Sequence, residues 1–370
     1  MSACYSLISF MSLFLPVVPV IQNIPTPRDI PLPLPMPEIV LVVLLVFSFL
    51  LHILFVNLML GGSLITLWAE LKGKKQPVYD TLAYEIATTV TVNKSLAVVL
   101  GVAPLLTINA LYTLFFYSAN ALTGTLWISI VPLVFIAFLL LYYHKYSWEK
   151  YKHNKPFHIT ILTVAVVILL FVPLIFLTNI NLMLFPDKWG TVKGFFSAMW
   201  MSNVIFRYFH FLCATLAITG LFLFWFMKRK QYAFETIFHS EVLSRYSVLK
   251  KWYTLAMGAS LLQLVLGPLN LFTLPWFGVT WGMVFLLLAG LVFAIGAIWM
   301  IWKDLKGPQE TLGRLFFPVL IALTITVLCM GTARHYYRAT TLAPHRERIR
   351  QVTEQPIQPV QSLKNRGITN

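Results

Sequence analysis

Eight apolar stretches run through the chain, near residues 39–67, 92–117, 124–143, 158–180, 203–227, 252–274, 279–302 and 313–333, with short breaks between them. A bilayer crossing takes roughly 20 apolar residues of helix, so each stretch can span. The pattern predicts an all-α, polytopic membrane helix bundle of about eight transmembrane helices. Ahead of it, residues 1–22 are apolar, and Pro25, Pro27, Pro31, Pro33, Pro35 and Pro37 then recur at spacings that forbid helix and favour extended polyproline structure. Residues 1–22 read either as a signal peptide, against which the lack of Lys or Arg at their start counts, or as a short membrane-surface anchor. Beyond the last stretch, residues 339–370 are polar and basic, with Arg346, Arg348, Arg350, Pro356 and Pro359. They hold too little apolar content for a core of their own and are expected to form an extended arm on a partner or the membrane surface. The predicted organisation is an outer segment 1–37, a transmembrane bundle 38–338 and a polar tail 339–370.

Composition supports lipid as the solvent. Of 370 residues, 58% are hydrophobic and 11% charged, with a mean hydropathy of +0.78, whereas soluble domains carry roughly 25% charged residues. A net charge of +15 would suit nucleic acid, but the basic residues sit in short clusters between apolar stretches, so nucleic acid is excluded as the partner. Those clusters alternate. Lys72, Lys74 and Lys75 follow the first stretch; Lys145, Lys150, Lys152 and Lys155 follow the third; Lys228, Arg229, Lys230, Arg245, Lys250 and Lys251 follow the fifth; Lys303, Lys306 and Arg314 follow the seventh. The intervening loops are nearly bare, holding only Asp187, Lys188 and Lys193. The positive-inside rule then places the basic loops in the cytoplasm and the C-terminus outside, in a bacterial inner membrane. Cys4, Cys213 and Cys329 form no C-x-x-C, which removes covalent c-type haem, iron–sulfur clusters and zinc ribbons.

Candidate chemistry rests on histidine. His144, His153 and His239 fall in basic loops and are expected to be solvated; His158 is at a stretch edge and His345 in the tail. His52 and His210 lie inside stretches, and His335 is where the last one leaves the membrane. An ionisable group within a span is costly and marks a functional candidate, although each imidazole could instead hydrogen-bond a neighbouring helix. All three belong to the outer half of the bilayer in the predicted topology, and neutral imidazole suits haem iron. Arg207, one turn from His210, and Arg334, next to His335, can bind the anionic propionates of haem; snorkelling to headgroups is the other reading of Arg207. The Trp residues flanking the outer turns, Trp189, Trp200, Trp276 and Trp281, are accounted for by an interfacial aromatic belt.

The string Leu51-His-Ile-Leu-Phe-Val-Asn-Leu-Met-Leu-Gly61 resembles the first helix of subunit I of cytochrome bd-type quinol oxidases, whose His ligates a high-spin haem. Gly101-Val-Ala-Pro-Leu-Leu-Thr107 is similar to the end of that family's second helix. Arg207-Tyr-Phe-His210, with Ala214-Thr-Leu-Ala-Ile-Thr-Gly220, resembles its fifth, and Gly331-Thr-Ala-Arg334 its eighth. The resemblance implies that His210 and Met283 are the axial ligands of a low-spin haem b, with His52, and His335 as a further donor, for a second. It also marks departures. Asn109 stands where the family has an acidic haem-site residue, no acid precedes Arg334 within the eighth stretch, and the quinol-binding outer loop is reduced to Pro275–Thr280. The expectation is therefore a haem-b membrane subunit that exchanges electrons between the quinone pool and an outer-face partner, a periplasmic c-type cytochrome, without oxygen chemistry. A bd-type oxidase that reduces oxygen and a haem-free anchor or transporter are the competing readings.

Overall fold

The computed structural model describes residues 34–238 and 243–354, with 90–95 by backbone alone. The described residues form helices α1 (Glu38–Gly73), α2 (Pro77–Leu111), α3 (Thr113–Thr123), α4 (Thr125–Tyr146), α5 (Lys155–Met183), α6 (Phe195–Met199), α7 (Val204–Lys228), α8 (Phe234–Ile237), α9 (Arg245–Phe272), α10 (Trp281–Lys306) and α11 (Phe316–Glu354). Residues 1–33, 239–242 and 355–370 lie outside this description, and with them the apolar start, most of the proline run, His239 and the end of the tail. Seven helices (α1, α4, α5, α7, α9, α10 and α11) are long and apolar enough to cross a membrane; Leu96–Leu111 with Thr113–Thr123 makes an eighth crossing only as a bent pair. Large apolar side chains such as Ile128 and Val131 on α4 and Phe285 and Val292 on α10 face outward. In water such a surface would aggregate, whereas among lipid tails it costs nothing. The chain is a multi-pass membrane protein.

The ends of the helices are set by local chemistry. Pro77 starts α2 and Pro156 sits in the first turn of α5, where a missing N–H costs nothing. Asn154, Ser244 and Thr280 each accept a first-turn N–H at the starts of α5, α9 and α10. Gly124, at φ +59, makes the corner between α3 and α4.

Two expectations need correction. The second stretch is not one straight helix: the chain breaks at Tyr112 and the limbs on either side diverge by 111°. The buried Tyr112 ring lies under the Arg338 and Arg346 guanidiniums, 5.4 and 5.2 Å away, and Arg346 donates to the Leu111 carbonyl at 3.2 Å. That bond takes up a carbonyl the break releases. The second correction concerns residues 339–354, expected as an extended arm. They continue α11 to Glu354. Thr341, Leu342 and His345 are buried on the face that also carries Tyr337 and Arg338, and Tyr337 donates to the Pro275 carbonyl at 3.2 Å. The apolar positions of this segment are few, but they fall on one side of the helix and dock there.

Deleting residues 339–370 should therefore lower the thermal midpoint of the detergent-solubilised protein, because it leaves the Leu111 carbonyl without Arg346 and takes the buried Leu342 out of the apolar cluster it shares with Leu111 and Tyr112. An unchanged midpoint in thermal unfolding would show that this length of α11 does not hold the bundle.

Long-range polar bonds group the helix ends into two sets. At the lysine-rich end, Lys155 binds both Asp80 oxygens at 2.7 Å, and Lys228 donates to the Leu312 carbonyl at 2.6 Å. Tyr232 donates to Glu85 at 3.1 Å, and burial together with that charge raises the phenol above its ordinary range. The opposite end joins Asn203 to Asn270 and Thr273, Asn179 to Asn120, and Arg346 to Glu38. Successive long helices thus run antiparallel.

Candidate functional site

Between these ends, α1 and α7 meet along a close seam. Thr215 donates to the Asn57 side-chain oxygen at 2.8 Å and Thr219 to the Asn57 carbonyl at 3.2 Å, all three residues being buried. Gly61 lets the helices approach: a Cβ there would lie 2.1 Å from Thr219 Oγ1 and 2.8 Å from the Thr215 carbonyl oxygen. This seam fixes the helix that carries His52 against the one that carries His210. It also accounts for part of the two strings on which the resemblance was read, since Asn57, Gly61, Thr215 and Thr219 are packing residues.

His52 is half-buried and turned toward α2. A Cβ at Gly101 would meet its Cε1 at 2.8 Å, and its ring is within hydrogen-bonding reach of the Ala97 backbone. Its Nδ1 has no partner. His210 stands one turn along α7 from Arg207, close enough for the charges to interact, and its Nδ1 is likewise unpartnered. His335, on α11, has an unpartnered Nδ1 and feels Arg338, Glu38 and Arg346. Met283 is 4% exposed, within an apolar cluster that includes Leu41 and Leu45 of α1 and Ala333 and Tyr337 of α11.

The arginines converge. Arg207 on α7 interacts electrostatically with Arg334 and Arg338 on α11. Arg334 rests over the Phe49 ring at 5.4 Å and Arg338 over Tyr112. Among the described residues none of the three pairs with a carboxylate, and Arg207 Nη1 and Arg338 Nε are buried without any partner. Three like charges set together away from water call for an anion among them. Sequence reading missed Arg338, although its spacing of four from Arg334 places it on the same helix face.

Orphaned imidazole nitrogens, buried cations without a counter-ion and an apolar Met fit a haem. Imidazole and thioether donors suit its iron, and guanidiniums suit its propionates.

His144, expected to be solvated, is 1% exposed; His158, at the edge of α5 as expected, and His345, in the tail segment that continues α11, are also buried, at 0% and 7%. His345 lies 3.7 Å from Asp187 across the connection between α5 and α7. His144 and His158 converge on Glu70 at the lysine-rich end. Helices α1 and α4 extend beyond the predicted apolar stretches, so positions read as loop are helical and covered. His153 is exposed, as expected.

The arrangement defines a class: an all-α polytopic membrane bundle with a buried cationic and imidazole-bearing site toward one end. No protein-family model matches the chain, and no curated protein matches it in sequence. In fold it is similar to the bd oxidase of Geobacillus thermodenitrificans, with a TM-score of 0.60 and 13% identity over 83% of this chain and 88% of that one. The bundle is bd-oxidase-like.

Proposed function

We propose that this chain is a haem-b membrane subunit of a respiratory complex, exchanging electrons between the quinone pool and a partner on the outer face, a c-type cytochrome. One observation carries the reading: Arg207, Arg334 and Arg338 gather unpaired beside unpartnered histidines in a bundle whose fold is bd-oxidase-like.

In this reading His210 and Met283 would hold a low-spin haem. His52 would serve a second, with His335 as a further donor. Arg207 and Arg334 would bind propionates, and Arg338 would join them. Haem supplies one-electron chemistry when bound. The chain's own residues do the rest. The imidazoles would offer neutral nitrogen lone pairs in apolar surroundings, the guanidiniums would compensate anionic charge, and the packed helices would exclude water from the site. Asn109 in place of an acid, and the short turn at Pro275–Thr280, favour electron transfer over oxygen reduction. The distribution of lysines favours a cytoplasmic lysine-rich end in a bacterial inner membrane, which would turn the arginine cluster outward.

The purified full-length protein should give a b-type reduced-minus-oxidised spectrum and protohaem in pyridine haemochrome analysis. A chain expressed with ample haem that yields neither is not a cytochrome. Gly101→Val offers a local test, because the added side chain must displace the His52 ring. It should weaken the spectral band that depends on His52 and spare the one that depends on His210. Equal loss of both bands would argue against two separate donors.

A further inference from the structure

A second polar cluster sits at the opposite end of the bundle from the arginines. Glu70 of α1, His144 of α4 and His158 of α5 are 1%, 1% and 0% exposed, and one donor atom from each lies within 4.8 Å of the others. His144 Nε2 is 2.9 Å from Glu70 Oε2, and His158 Nδ1 meets Glu70 Oε1.

The decisive contact is on the far side of His158. Its Nε2 lies 2.8 Å from the His144 carbonyl oxygen, and a carbonyl can only accept, so Nε2 carries the proton. A neutral ring then has its lone pair on Nδ1, aimed at a carboxylate oxygen. Two electron pairs facing each other in a buried site require a positive species between them. A metal-bound histidine uses this arrangement: the outer nitrogen donates to a backbone carbonyl, which sets the tautomer and the ring orientation.

We propose that Glu70, His144 and His158 bind a divalent first-row transition metal ion. Two imidazoles and one carboxylate suit zinc, and also ferrous, manganous and cobaltous ions, with a fourth position left for another oxygen. Ser147, one turn past His144 and 5% exposed, carries a hydroxyl without a partner. The Trp148 ring packs edge-on against both imidazoles, at 5.2 and 4.9 Å, and shields them from water. Lys155, held over the same Trp148 ring, is neutralised by both oxygens of Asp80, so its charge does not oppose a cation at the site. The three ligands come from three helices. The ion would staple α1 to the α4–α5 hairpin, and burial this complete gives it a structural role. The inference is independent of the haem reading.

Elemental analysis of the full-length protein, purified without chelator, tests it. Haem iron is counted separately by pyridine haemochrome, so the two readings succeed or fail apart. The expected result is about one non-haem transition metal ion per chain, falling about ten-fold or more in His158→Ala and Glu70→Gln. Because those variants can misfold, wild-type protein stripped with a strong chelator provides the second measurement. Adding Zn2+ should raise its thermal midpoint and restore one ion per chain. Wild type with far less than one ion, and a stripped form whose midpoint Zn2+ leaves unmoved, would overturn the proposal and identify the positive species as a proton. Metal retained in full by both variants would overturn it as well, by placing the ion elsewhere.

Discussion

His210→Ala is expected to abolish a low-spin b-type absorbance band in the purified protein, while His52→Ala removes a different one. An axial imidazole bonds directly to iron, and its loss changes spin state or empties the site, so the effect is near complete. The fold gives reason to expect that α7 survives the change. Its N-terminal end is held by Asn203, whose side chain donates to the Asn270 carbonyl and to Thr273 at the end of α9, at 2.8 and 3.0 Å. Its middle is held by the bonds from Thr215 and Thr219 to Asn57. Neither set involves His210. A third variant, His153→Ala, alters an exposed ring and should leave both bands in place. Full wild-type spectra from both His210→Ala and His52→Ala would reject these ligands even if the protein binds haem. Loss of both bands in each variant would mean that the two rings serve one site.

The crossings were legible in the sequence because lipid imposes a one-dimensional requirement, enough consecutive apolar residues to span, and this is readable without knowing any neighbour. The bend at Tyr112 was not legible for the same reason. Both limbs are apolar, and the break depends on Arg338 and Arg346, more than 200 residues away, covering the ring and the carbonyl at the corner. The last part of α11 failed differently. Its average polarity suggested an arm, yet Tyr337, Arg338, Thr341, Leu342 and His345 follow helical spacing and bury one face. Periodicity was the better guide there than composition. Glu70, His144 and His158 share no motif, and each lies just past the end of an apolar stretch or at its edge, where solvation is the default expectation. Only the packing of three helix ends reveals that they meet. By contrast, the fifth stretch showed Arg207 and His210 one turn apart on a single helix, where local spacing is enough to bring them together.

The α1–α7 seam carries the other large expected effect. Gly61→Ala should destabilise the protein by about 1–3 kcal/mol, the usual range for an overpacked contact. In open space the change would be favourable, since alanine exceeds glycine in helix propensity by about 1 kcal/mol. The sign is decided by what the added carbon meets. Thr219 Oγ1, 2.1 Å away, can rotate, but only by giving up its bond to the Asn57 carbonyl. The Thr215 carbonyl oxygen, at 2.8 Å, is backbone and moves only if α7 moves. Gly258→Ala on α9 is the matched control: nothing lies within 4 Å of the added carbon, so that variant should be as stable as the parent or slightly more so. Thermal unfolding in one detergent ranks the three proteins, and a Gly61→Ala midpoint equal to that of Gly258→Ala would show that the helices are not in close contact. The displacement has a functional reading too. Because α1 carries His52 and α7 carries His210, forcing the helices apart shifts one imidazole relative to the other. On the proposed haem reading, the absorbance bands of Gly61→Ala should therefore broaden or move even at temperatures where the protein remains folded, while Gly258→Ala keeps the parental spectrum.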